Sequence, residues 1–189
     1  MADGRGTGVR RRTFLISVKF GSIMIEIRAR VYLETSFVSY LLGKATTDIK
    51  ISVDQAWTRK WWNEIAPSCD VFVSDFVLAE ARDGNEEQVA KRIEFLREIP
   101  LLDYDNERVE SLARKLVGDE AFPPNAATDA YHAAVSATCG MDYLLTWNCK
   151  HIANPMRLPK TMRIIRAEGY ACPQILTPAN YFQNIGLEA

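Results

Sequence analysis

The chain has 189 residues, of which 48% are hydrophobic and 25% charged, and a formal net charge of −1. At roughly 150 residues per domain this is about one domain, long enough to bury a core without disulfides or zinc. The balance excludes a disordered chain and a generally basic nucleic-acid coat, but not a local basic groove.

Cys69, Cys139, Cys149 and Cys172 contain no C-x-x-C pair, and the chain has only two histidines, His132 and His151. Buried thiols in a reducing cytoplasm are expected, not a zinc site. No apolar run reaches the ~18 residues of a membrane span. Arg11-Arg12-Thr13-Phe14-Leu15 resembles a twin-arginine signal, but Lys19 and Glu26 break the apolar stretch behind it. No small-x-small cleavage site follows, so the start reads as an extra segment outside the fold. Residues 1–28 are expected to be a basic, partly disordered N-terminal extension, with a flexible tail to about residue 13 and an additional strand from Phe14 to Phe20. Residues 29–189 form the predicted domain.

Arg30 to Leu33 reads as a strand, followed by a helix capped at Thr35 or Ser36 that stops near Gly43. A second helix fits Val53 to Ile65, with Trp57, Trp61 and Trp62 on a stripe beside Arg59 and Lys60. The stripe reads as core or dimer interface rather than a base-stacking surface. Val71 to Val73 is the second strand, and Ser74 caps the helix carrying Glu80, which ends at Asp83-Gly84. A helix from Glu86 to Glu98, a short third strand from Pro100 to Asp103 and a helix from Glu107 to Val117 follow. Pro123-Pro124 breaks the chain, and Asn125 is expected to cap a helix running to Cys139. Tyr143 to Trp147 is the fourth strand, Arg157 to Ala167 a helix and Gln174 to Leu176 a fifth strand. Continuous apolar strands alternating with helices indicate an α/β fold, a mostly parallel sheet of four to five strands flanked by helices.

Ligands of such sheets bind beyond the carboxyl ends of the strands. Glu34 and Asn148 follow strands directly, Glu80 lies in the helix after the second strand, and Asp129 opens the helix feeding the fourth. Asp142 precedes its strand and belongs at the opposite end, while Asp103 and Asp105 suit turn or cap duty. Singly, each of the four has an ordinary structural reading. Converging, they offer oxygen ligands that favour Mg2+ or Mn2+, whose bound water attacks phosphorus.

Val31-Tyr32-Leu33-Glu34-Thr35-Ser36, Ser74-Asp75-Phe76-Val77-Leu78-Ala79-Glu80, Asp129-Ala130-Tyr131-His132 and Leu145-Thr146-Trp147-Asn148-Cys149-Lys150-His151 resemble, in order, the four motifs of the PIN-domain family. Thr-Trp-Asn-Cys-Lys-His resembles a bacterial subgroup close to the VapC-type toxins. The resemblance spans about residues 30 to 180. It implies a PIN-like three-layer fold and a Mg2+- or Mn2+-dependent ribonuclease of the cytoplasm, often a homodimer blocked by a small antitoxin. It implies a catalytic set of Glu34, Glu80, Asp129 and Asn148. Of these, Glu34, Glu80 and Asp129 would be metal ligands, with Thr35, Ser36 and Thr146 as supporting hydroxyls. Position 34 is usually aspartate in the family and position 148 often is, so this chain carries a longer acid at one and loses a charge at the other. Lys150 and His151 read as RNA contacts or as a solvated turn. His132 reads as a cleft acid–base and RNA contact or as a partly buried helix histidine. The rival functions are a PIN-like module that binds RNA or a partner without cutting, and a small-molecule phosphatase. No P-loop or G-x-G-x-x-G is present.

Overall fold

The computed structural model describes residues 16–20 and 23–184, with side chains from residue 28 onward. The tail to residue 13, the Arg11-Arg12 motif and Phe14-Leu15 lie outside the described residues.

Four strands form one all-parallel sheet in the order β4-β3-β5-β6. They are β3 (Ala29–Leu33), β4 (Cys69–Phe72), β5 (Tyr143–Leu145) and β6 (Gln174–Leu176). Val31, Tyr32 and Leu33 of the inner strand β3 and Leu144 and Leu145 of β5 are fully buried. That is the expected consequence of helices covering both faces. A separate antiparallel pair, β1 (Ile16–Phe20) with β2 (Ile23–Ile27), precedes it. The strand predicted over 14–20 is thus present from Ile16, and its partner β2, not predicted, follows the hairpin signal Gly21-Ser22 in the sequence.

The third predicted strand shrinks to a single parallel bridge between Val73 and Leu101. Val73 N–H donates to Pro100 and Leu102 N–H to Val73, after which the chain turns away. Pro100 offers no N–H to extend the ladder.

The helices are α1 (Thr35–Leu41), α2 (Ile49–Glu64), α3 (Asp75–Glu80), α4 (Glu86–Leu96), α5 (Asn106–Gly118), α6 (Ala127–Thr138), α7 (Leu158–Ala167) and α8 (Pro178–Asn184). Three boundaries differ from expectation for local reasons. α2 begins four residues early because Asp48 caps it, accepting from Ile51 N–H at 3.0 Å. Asn125 does not cap α6: it sits in a 3-10 turn from Pro124 to Ala126, and Ala126 occupies the cap position. The cap of α1 is Glu34, without a side-chain cap bond. The Thr35 and Ser36 hydroxyls are engaged instead by carboxylates.

The tryptophan stripe of α2 is packing surface. Trp61 is fully buried and meets Phe37 and Tyr181 edge-on, Trp57 packs on Phe182, and Trp62 on Phe95. Among the described residues no helix is long and apolar enough to cross a membrane.

Candidate metal site

Glu34 directly follows β3 and caps α1, which fixes it beyond the carboxyl edge of the sheet. Its side chain is nearly buried, and burial of a carboxylate is costly unless donors reach it. They do: Oε2 accepts from Ser36 Oγ and, at 2.7 Å, from Thr146 Oγ1. The same hydroxyls hold the strand end opposite. Ser36 Oγ accepts from Trp147 N–H at 2.7 Å, and Thr146 Oγ1 accepts from Asn148 N–H at 2.9 Å.

Glu80 is the last residue of α3 and is half-buried. Its Oε2 accepts from Thr35 Oγ1 and pairs with His132 Nε2 at 3.1 Å. Burial raises the Glu80 carboxyl, but the hydrogen bond and charge of His132, with Thr35, outweigh it and hold the group below its ordinary range. Asp129, in the first turn of α6, accepts from the Asn148 amide at 2.9 Å. There burial wins and raises the carboxyl, although the Asn148 amide and the two histidines oppose it. The Asn148 side chain also accepts from His151 N–H at 3.1 Å, so one residue closes the turn and restrains Asp129.

Ligand atoms of Glu34, Glu80 and His132 lie within 4.8 Å of one another, and Asp129, the third ligand expected from the sequence, is outside that close group. His132 is fully buried, and both ring nitrogens are engaged, Nδ1 with Tyr32 Oη at 2.7 Å and Nε2 with Glu80. The expectation of an RNA contact at His132 is therefore corrected: no face of the ring reaches solvent. Burial lowers its proton affinity, but the Glu80 hydrogen bond and the Glu34, Glu80 and Asp129 charges prevail and raise it. Lys150 is exposed beyond Asn148, and His151 is partly exposed, with its Nδ1 buried and unpaired among the described residues.

The donor chemistry fits a hard divalent cation. Glu34, Glu80 and Asp129 each use one oxygen to accept protein hydrogen bonds. Among the described residues no hydrogen bond reaches the second oxygen of any of them. Carboxylates held on one side and open on the other suit Mg2+ or Mn2+, with the remaining positions left to water. Asn148 spends its amide nitrogen on Asp129 and its oxygen on His151 N–H.

Two residues of the arrangement escape a reading by strand ends alone. Tyr32, inside the apolar core of β3, and Ser74, the cap of α3, bond each other at 2.6 Å behind His132. A tyrosine in a fully buried strand needs a partner for its hydroxyl, which is the signal in the sequence. An apolar groove of about 450 Å3 between Trp62, Cys69, Phe72 and Ile99 shares no residue with the acidic group.

Thr146→Val keeps the shape of a fully buried side chain but deletes a donor to Glu34 and an acceptor for Asn148 N–H. A loss of about 2 kcal/mol is expected, since bonds to charged groups carry more than neutral ones. Urea unfolding measures it. Thr146→Ser should recover most of the loss, and a neutral Thr146→Val would contradict the arrangement.

No protein-family model and no curated protein matches the chain. Solved structures do. A chain of VapBC2 from Rickettsia felis, bound to a DNA fragment from their promoter, is 16% identical, with 78% of this chain and 98% of that chain covered and a TM-score of 0.51. A chain of VapBC-1 from nontypeable Haemophilus influenzae is 18% identical over 79% and 98%, also at 0.51. A chain of FitAcB from Neisseria gonorrhoeae is 15% identical over 78% and 97%, at 0.50. At these identities the likeness concerns architecture, and the protein has the PIN-like α/β fold of these VapBC and FitAcB chains.

Proposed function

We propose that this protein is a Mg2+- or Mn2+-dependent ribonuclease that hydrolyses RNA phosphodiester bonds, with Glu34, Glu80 and Asp129 as its metal ligands. The observation that carries the reading is the approach of Glu34 and Glu80 to within 4.8 Å at the carboxyl edge of a parallel sheet, with Asp129 near enough to act electrostatically on Glu80 and His132, and each carboxylate tethered through one oxygen only. A divalent cation bound there supplies an acidified water and charge neutralisation at a phosphate. The chain's own residues do the remaining work. Ser36 and Thr146 aim Glu34, Thr35 and His132 aim Glu80, and Asn148 aims Asp129. Lys150 stands exposed past the cluster, in position to meet a phosphate of the RNA backbone. The VapBC and FitAcB likeness supports a small antitoxin partner covering the cleft; a homodimeric assembly and the cytoplasm as compartment are proposed alongside it.

A second reading has one specific observation in its favour. Asn148 brings an amide, not a fourth charge, to Asp129, which weakens a metal cage and suits a module that binds RNA without cutting. The deciding assay incubates purified protein with mixed-sequence single-stranded RNA in Mn2+, Mg2+ or EDTA. Cleavage that requires the metal supports the nuclease. RNA retained in EDTA, without turnover in either metal, supports the binding module.

Cation binding also has a stability signature. Asp129, raised by burial, binds its proton more tightly folded than unfolded. It therefore adds stability below its ordinary range of about 3.9 and loses it as pH rises through the raised value. At neutral pH a cation relieves that cost, so saturating Mn2+ should raise the melting temperature. The increment should shrink on acidification as protons compete for the carboxylates. An increment independent of pH would place the ion elsewhere.

A further inference from the structure

We infer that Tyr32 is a positioning residue of the acidic cluster, its buried hydroxyl fixing the His132 imidazole that in turn orients Glu80. The inference rests on the reading of Glu80 as a metal ligand and deepens it. Four side chains form one unbroken line: Ser74 Oγ to Tyr32 Oη at 2.6 Å, Tyr32 Oη to His132 Nδ1 at 2.7 Å, and His132 Nε2 to Glu80 Oε2 at 3.1 Å. Ser74, Tyr32 and His132 are all fully buried. Water cannot replace a missing partner there.

The directions of the bonds are consistent along the line. Val77 N–H donates to Ser74 Oγ at 3.5 Å. With a neutral ring, Ser74 then donates to Tyr32, Tyr32 donates to Nδ1, and the proton sits on Nε2 facing Glu80. Every donor has an acceptor: the Glu80 carboxylate, which can only accept, calls for the proton on Nε2, and the Tyr32 hydroxyl donates to the Nδ1 left free and fixes the ring from behind. The rings of Tyr32 and Phe76 flank the imidazole, with centroids at 5.9 Å and 6.4 Å.

The line also closes a mechanical loop. Ser74 caps the first turn of α3 and Glu80 is its last residue, so a six-residue helix is pinned at both ends. The pins run through β3 and α6, the elements that carry Glu34 and Asp129. Residues supporting a metal ligand in this way typically alter affinity 10- to 100-fold when changed.

The test is Mn2+ affinity of the full-length protein without RNA, followed by electron paramagnetic resonance of free Mn2+. Tyr32→Phe keeps the ring and removes one oxygen. It should weaken Mn2+ binding roughly tenfold, and Ser74→Ala should weaken it less, in the same direction. Trp61→Phe, a core change remote from the line, should leave affinity unaltered and so separates positioning from general loosening. Unchanged affinity in folded Tyr32→Phe overturns the inference while leaving the metal site standing. If Tyr32→Phe fails to fold, Ser74→Ala decides on the same criterion. Absence of Mn2+ binding by the unsubstituted protein overturns the reading of Glu80 as a ligand, and the inference with it.

Discussion

Asp129→Asn is expected to reduce Mn2+-dependent RNA cleavage by at least about 100-fold while leaving the protein folded. Metal-assisted charge stabilisation is worth several kcal/mol at the transition state, and each 1.4 kcal/mol is about tenfold in rate. Asparagine preserves the shape and offers an amide oxygen to the Asn148 side chain, which now donates to Oδ1 at 2.9 Å. It also removes a carboxylate that burial already disfavours, so the apo-protein should lose no stability. A circular dichroism melt alongside the assay separates the two effects. Cleavage at the unsubstituted rate would remove Asp129 from the site.

Trp61→Ala is expected to cost about 3–5 kcal/mol, the range for emptying a large aromatic site. Trp61 is fully exposed to packing and not at all to water, with Phe37 at 5.4 Å and Tyr181 at 5.8 Å edge-on. In a domain of this size that lowers the melting temperature by roughly 6–20 °C. Trp61→Phe should cost much less. It gives up area, but it also removes an indole N–H that is buried without a hydrogen-bond partner among the described residues. Such a group carries a penalty of about 1–3 kcal/mol. Denaturant unfolding of the pair measures the difference. If Trp61→Ala instead spared stability and reduced RNA affinity, the base-stacking reading of the α2 stripe would return.

The sheet was legible because its inner strands are unbroken apolar runs. Val31-Tyr32-Leu33 and Leu144-Leu145 admit no solvent face, and parallel pairing follows from the helices between them. One strand end was legible for the same reason, since an acid directly after such a run, as Glu34 is after Leu33, must sit at the carboxyl edge; β5 stops at Leu145 rather than Trp147, so Asn148 stands three residues beyond it. Short elements were harder. At Val73 and Leu101 one bridge forms where a strand was expected, because proline and local turning decide whether a ladder continues. At Asn125 a good capping residue lost to a 3-10 turn, since the preceding prolines set the entry to α6.

Within the candidate site, residue type announced the carboxylates but not their partners. Thr35 and Ser36 have the signature of helix caps, and nothing local says that their hydroxyls turn to Glu80 and Glu34 instead. His132 shares a helix face with Asp129, but whether that face meets water depends on α3, which is distant in sequence. The Tyr32–Ser74–His132 contact joins positions 42 and 100 residues apart, a distance at which spacing carries no information.

Glu34, Glu80 and Asp129 are expected to hold one divalent cation together. The direct measurement is a calorimetric titration of Mn2+ into the metal-free protein at neutral pH, with Glu80→Gln and Asp129→Asn titrated in parallel. The expected result is one ion per chain, and loss of that binding in both variants. Binding that survives both substitutions, or no binding by a folded protein, would contradict it.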